Sequence, residues 1–160
     1  MRRQSLFSKE RIVYWPDEFS EVVDLLNGRD RQGRAVSNAL YSFNTGAIVL
    51  AASLGAREKR RREVGAGRKE ISTTTFVSHH LESFIFLIPL LGDSSLGTEF
   101  LRPENEELVI REFERYAAGG LEILAGEMDA SAGKAADVLV QTLMIQSQDS
   151  KVNQVLPDLL

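Results

Sequence analysis

The chain contains no cysteine among its 160 residues. That absence removes disulfides, thiolate nucleophiles and cysteine-ligated zinc together, and it is compatible with a reducing compartment. Histidine is nearly as scarce, with only the adjacent His79 and His80. Neighbouring helical residues diverge too far to face one metal ion, and the two-histidine i, i+4 spacing of a zinc helix is missing, so the pair reads as a helix boundary making ordinary hydrogen bonds. Asp93-Ser94-Ser95 lacks a nucleophile elbow. Gly65-Ala66-Gly67-Arg68-Lys69 fails as a phosphate loop because Glu70 follows the lysine and no strand is expected before it. The most apolar segment, Phe84 to Leu91, is eight residues long and interrupted by Pro89, against the ~20 needed to span a bilayer. The opening MRRQSLFSKER has no apolar stretch of the ~7–15 residues required for export. A cytoplasmic protein with no membrane partner is the expectation.

What is present is ordinary for a folded domain: 43% apolar and 26% charged residues, with a net charge of −4. The charge is unevenly laid out. Residues 1–80 carry 14 Lys+Arg and 9 Asp+Glu, whereas residues 81–160 carry 5 and 14. An acidic protein can therefore still present one basic face, which is all that polyanion binding requires.

Periodicity predicts a mainly α fold: a single compact helical domain of about five to six helices, with Arg11 to Trp15 (RIVYW) suited to a short N-terminal strand stopped by Pro16. Residues 1–10 read as a flexible N-terminus, 11–145 as the helical domain and 146–160 as a C-terminal tail. Pro16-Asp17-Glu18 opens a first helix whose apolar face runs from Phe19 to Leu26 and ends at Asn27-Gly28. A charged loop, Gly28 to Arg34, follows. A helix is expected from about Asn44 to Leu54, with another conceivable from Ala35 to Phe43. Ser72 to Thr75 supply caps for a helix from Phe76 to Leu91, too densely apolar for a surface stripe and hence the expected central helix. Pro103 to Glu107 opens a helix carrying Val109, Phe113, Tyr116 and Ala117 on one face, which Gly119-Gly120 should break or bend, or allow to approach a neighbour closely. Leu121 to Met128 resumes the helical pattern, and a last apolar helix is expected from Ala135 to Ile145.

The segment at 56–70 has one apolar side chain larger than alanine, Val64, so a solvated loop, a hairpin or a frayed helix all fit it. Arg57, Lys59, Arg60, Arg61, Arg62, Arg68 and Lys69 place seven cations in thirteen residues, the candidate phosphate contacts to duplex DNA. No aromatic residue lies between them, which disfavours base stacking on single strands. The same charge would also serve solubility alone. The acidic residues Glu104, Glu106, Glu107, Glu112 and Glu114 are the parts a metal-dependent nuclease would need, but their place at a helix start accounts for most of them by dipole complementation. A ribbon-helix-helix arrangement has the right element order, although its inter-helix loop is long and Arg11 is the only base-reading candidate on the strand.

Three further stretches carry a family resemblance: Ile48–Ala56 (IVLAASLGA), Glu70–Phe76 (EISTTTF) and Glu106–Leu124 (EELVIREFERYAAGGLEIL). With Arg11-Ile12 they make a pattern of an N-terminal RI segment, a helix carrying AA-x-LG, a polar loop, an apolar helix and a helix ending in E-x-Y-A-x-GG-L-x-IL. Over roughly residues 11–128 the chain resembles the small proteins associated with the bacterial Dnd DNA phosphorothioation system, encoded among DNA-modification and anti-phage defence genes. The Gly28–Arg34 insertion and the C-terminal extension depart from that pattern. The resemblance brings no catalytic residues. It implies an accessory protein acting on or beside DNA, without enzymatic activity, cofactor or metal, and partnered by other defence-system proteins. A homodimer is compatible with it. The alternative is a protein–protein adaptor that does not itself bind DNA, docking through the acidic half and the apolar tail (Val152, Val155, Leu156, Leu159, Leu160).

Overall fold

The computed structural model describes residues 4–29, 34–35 and 43–131. All but the two end residues of the helix anticipated at Ala35–Phe43, the helix anticipated at Ala135–Ile145, most of the Gly28–Arg34 loop and the 146–160 tail lie outside the described residues. Within them the fold is mainly α, with five α-helices and one short two-stranded sheet.

Strand β1 (Ile12–Pro16) leads through a 3-10 turn at Asp17–Phe19 into α1 (Ser20–Leu26). Helix α2 (Asn44–Arg57) follows, then β2 (Arg68–Ser72), α3 (Thr73–Ser78), α4 (Glu82–Gly92) and the long α5 (Glu106–Ser131). The strands pair antiparallel, with Val13 opposite Ile71 and Trp15 opposite Lys69. Alternation puts Val13 and Trp15 into the core while Ile12 and Tyr14 face outward. The end of the basic segment thus becomes a strand. The in-chain pairing also removes the ribbon-helix-helix reading, because β1 already has its partner and is not offered to a second chain.

The core is built on α2 against α5. Val109, Phe113, Tyr116, Ala117, Leu121 and Leu124 of α5 are buried at the spacing the sequence displays, and Phe113 meets Phe76 edge-on with ring centroids 6.1 Å apart. Gly119 and Gly120 do not break α5, which runs through them. Their role is close approach. A Cβ on Gly120 would lie 1.7 Å from the Ala51 carbonyl oxygen, one on Gly55 2.0 Å from that of Tyr116, and one on Gly119 2.1 Å from that of Arg60. Helix backbones meet directly at this crossing, with no side chain between them.

The single helix expected from Phe76 to Leu91 is two. Ser72 caps α3, accepting from the Thr74 amide at 3.2 Å, and the helix stops at His79, with His80 in the left-handed region at φ 61°. The chain restarts at Glu82. Nor is α4 central: Ile85, Ile88 and Pro89 face inward, but Phe84, Leu87 and Leu91 face solvent.

Two buried carboxylates tie down the segment before β1. Glu82, at the start of α4, accepts from the Ser5 hydroxyl and the Leu6 amide, both at 2.5 Å, and from the Phe7 amide at 3.3 Å. Glu106, at the start of α5, accepts from the Ser8 amide at 2.7 Å, the Ser8 hydroxyl at 2.9 Å and Arg11 Nε at 2.8 Å. Phe7 is buried between these anchors, 4.7 Å from the ring of Phe86.

Candidate nucleic-acid interface

Helix α2 ends inside the basic segment. Glu58 is its C-cap, Lys59 takes a left-handed turn at φ 52°, and the Lys59 and Arg60 amides donate back to the carbonyls of Ala56 and Gly55 at 3.2 and 2.8 Å. That pair of bonds is the Schellman closure, with a lysine where glycine is usual. The chain then runs beside α5, held by the Arg62 amide donating to the Arg115 carbonyl at 3.1 Å.

This path decides what the seven cations meet. Arg57 pairs with Glu58 at 3.0 Å, Arg60 with Glu122 at 3.1 Å, Arg61 with Glu112 at 2.7 Å, and Arg62 with Glu18. Arg62 also lies over the Phe19 ring at 4.9 Å. Glu112 additionally binds Arg115, which reaches Glu63 at 2.6 Å, so the arginine run is laced to α5 by a chain of alternating charges. Lys59, Arg68 and Lys69 have no carboxylate within ion-pair distance among the described residues. The Arg68 guanidinium stacks over Tyr14 at 3.9 Å and the Lys69 ammonium over Trp15 at 5.5 Å. The sequence could not separate these two groups, since the partners Glu18, Glu112 and Glu122 are 44 to 62 positions away.

Arg68 opens onto a cleft of about 490 Å³ between β1 and α5, whose other charged lining residues are Lys9, Arg11 and Arg111 and the carboxylates Glu10, Glu107 and Glu114, with Tyr14 beside them. Lys9 and Arg111 resemble Arg68 in lacking an ion-pair partner among the described residues. Sequence reasoning missed both, because each is an isolated cation whose meaning comes only from the fold. Arg11 is committed to Glu106 and Glu107. Glu114 accepts from the Tyr14 amide at 2.9 Å and so covers the outer edge of β1, where a third strand would otherwise pair. Burial pushes its carboxyl above the usual value, more strongly than the Tyr14 amide and the charges of Arg68, Arg111 and Arg115 pull it down.

Glu114→Gln tests that balance. A raised folded-state value means the ionised carboxylate is carried at a cost near neutral pH, a cost that disappears as pH falls through that value. Glutamine keeps an acceptor for the Tyr14 amide, so the variant should melt no lower than wild type at pH 7, and any advantage should vanish toward pH 4. Calorimetry across that range checks it; a large loss at pH 7 would contradict the assignment.

The other candidates take structural places. His79 Nδ1 lies 2.7 Å from the Thr45 hydroxyl and the ring stacks on Phe43 at 4.0 Å. Glu106, Glu112 and Glu114 engage different partners, and no group of three acidic, histidine or cysteine side chains suited to a metal forms among the described residues. No described helix is long and apolar enough to cross a membrane.

No curated protein and no solved structure matches the chain. One family model does, that of DNA sulphur modification system-associated protein 4, over residues 14–159. The match takes in the last three residues of β1, the arginine-laced segment, β2 and the whole of α5, and on it the chain belongs to this family of proteins associated with DNA sulphur modification systems.

Proposed function

We propose that the protein is a non-enzymatic, cytoplasmic accessory of a bacterial DNA phosphorothioation-type defence system that contacts the phosphates of duplex DNA. The observation that carries this reading is the gathering around one open cleft of three cations, Lys9, Arg68 and Arg111, that have no carboxylate within ion-pair distance among the described residues, with Lys69 on the same strand as Arg68. An exposed guanidinium with one face on an aromatic ring and no carboxylate within ion-pair distance is suited to a phosphate. Lys59 adds a further unpaired charge. Arg57, Arg60, Arg61 and Arg62 join by exchanging a carboxylate for a phosphate, which costs little because exposed ion pairs are worth at most ~1 kcal/mol. They are secondary contacts, since the displaced glutamates remain nearby and repel the strand.

Fluorescence anisotropy of a labelled duplex across a salt series tests the reading. Wild type should bind at low salt and weaken steeply as salt rises. The pair Arg68→Ala, Arg111→Ala should bind about tenfold more weakly and flatten the slope of log K against log salt by about 2, whereas Arg60→Ala, Arg61→Ala, Arg62→Ala should flatten it less. Glu114→Gln should tighten binding about threefold by removing a negative charge beside the cleft. No binding by wild type at low salt, or a larger effect from the arginine run than from the cleft pair, overturns the assignment.

A further inference from the structure

The arm that leads into β1 forms one wall of the cleft and settles its sign. Elsewhere in the lining the cations Arg68 and Arg111 are matched in number by Glu107 and Glu114, whereas the arm contributes Lys9 and Arg11 against Glu10 alone. The positive excess of the cleft therefore belongs to residues 9–11. The lining carboxylates are also the groups already engaged. Glu10 accepts from the Ser72 hydroxyl, Glu107 from Arg11 Nη1 at 3.2 Å and Glu114 from the Tyr14 amide at 2.9 Å. Lys9, by contrast, is exposed. A segment before the first strand with exposed side chains ordinarily samples many positions, but here both ends of the stretch are tied. Ser8 gives its amide and hydroxyl to Glu106 at 2.7 and 2.9 Å, and Arg11 reaches the same carboxylate through Nε at 2.8 Å. The Arg11 carbonyl accepts from the Thr73 amide at 2.9 Å, and its amide donates to the Thr73 hydroxyl at 3.0 Å.

We infer that Glu106 is a positioning residue for the phosphate-contacting cleft, holding residues 8–11 through Ser8 and Arg11 so that Lys9 is fixed beside Arg68 and Arg111. The inference rests on the reading of that cleft as a DNA site. Glu106 is 2% exposed, so its influence on a strand in the cleft passes through the arm and not through contact. A tethered arm has lost its backbone freedom during folding, whereas a loose one would lose it at each encounter with DNA and bind more weakly for the same charge. Charge and position predict opposite signs for this carboxylate. By charge alone, deleting an anion near a polyanion site tightens binding. By position, deleting it weakens binding, because Lys9 leaves the cleft and the positive excess goes with it.

The test is a double-mutant cycle on the full chain, read by duplex anisotropy across a salt series in the cold, with near-UV circular dichroism confirming that each variant is folded. Lys9→Ala should weaken binding about threefold and flatten the slope of log K against log salt by about 1. Glu106→Ala should weaken it at least as much. Adding Lys9→Ala to Glu106→Ala should then change nothing further, whereas Arg68→Ala should keep its full effect in either background. A general loss of structure would blunt Lys9 and Arg68 alike. Glu106→Gln keeps one acceptor for Ser8 and more of the fold, and it should show the same sign with a smaller loss. Three results overturn the inference while leaving the DNA reading intact: wild type binds but both Glu106 variants bind as tightly or more tightly, Lys9→Ala keeps its full effect in Glu106→Ala, or Lys9→Ala is without effect where Arg68→Ala has one. Absence of wild-type binding at low salt overturns both.

Discussion

Replacing Gly120 with alanine is expected to destabilise the protein by about 3 kcal/mol, although alanine is the better helix former by about 1 kcal/mol. The added methyl would sit 1.7 Å from the Ala51 carbonyl oxygen and 2.5 Å from its carbon, and backbone of a packed helix cannot swing away as a side-chain tip can. Relief requires α2 and α5 to separate, which opens the contact on which the core is built and leaves Ile48, Leu121 and Leu124 underpacked. Gly126, in the same helix, is the control. Nothing lies within 4 Å of a Cβ placed there, so Gly126→Ala should gain about 0.5–1 kcal/mol. For a domain of this size the two variants should move the melting temperature in opposite directions, down by roughly 10 °C and up by about 2 °C. Two shifts of the same sign would mean that the α2–α5 crossing is not closed backbone to backbone.

Replacing Glu106 with alanine should cost about 2–4 kcal/mol and release the segment before β1. The buried carboxylate accepts from the Ser8 amide and hydroxyl and from Arg11, and its removal leaves Arg11 with Glu107 alone, whose side chain is largely exposed. The effect should depend on pH. Burial alone would raise the Glu106 carboxyl, but the Ser8 amide, Arg11 and the Ser8 hydroxyl together hold it below its usual value near 4.5. A depressed value stabilises the fold when pH is above the unfolded-state value, and the contribution disappears as pH falls through the folded-state value. The gap between wild type and Glu106→Gln in urea denaturation should therefore be level from pH 7 to pH 5 and close below about pH 4. Proteolysis should cut the first ten residues faster in Glu106→Ala than in wild type at neutral pH. A gap that widens in acid would contradict the sign.

Both expectations concern features that local sequence could not rank. Gly119-Gly120 reads as a break because two glycines weaken an isolated helix, yet the helix continues because the neighbouring backbone occupies the space their side chains would need. Glu106 reads as an ordinary helix-start acid complementing the dipole. Its further role as an anchor for Ser8 and Arg11 depends on chain about 95 positions earlier.

Several features were nevertheless set by the sequence alone. The α5 stripe of Val109, Phe113, Tyr116 and Ala117, the acidic entry into α1, the Ser72 cap and the strand stopped near Pro16 follow from periodicity, dipole and capping, all of which act within a few residues. The family pattern was legible for the same reason, being made of short runs such as Ala51-Ala52-Ser53-Leu54-Gly55. Tertiary structure alone decided which cations are neutralised. It closed Arg60, Arg61 and Arg62 onto Glu122, Glu112 and Glu18, left Arg68 on Tyr14 with no carboxylate in ion-pair distance among the described residues, and gathered Lys9 and Arg111 beside it. It also turned half of an apolar helix outward. Charge and hydrophobicity are properties of residues, but ion pairing and exposure are properties of neighbours, and those neighbours meet only when distant segments pack.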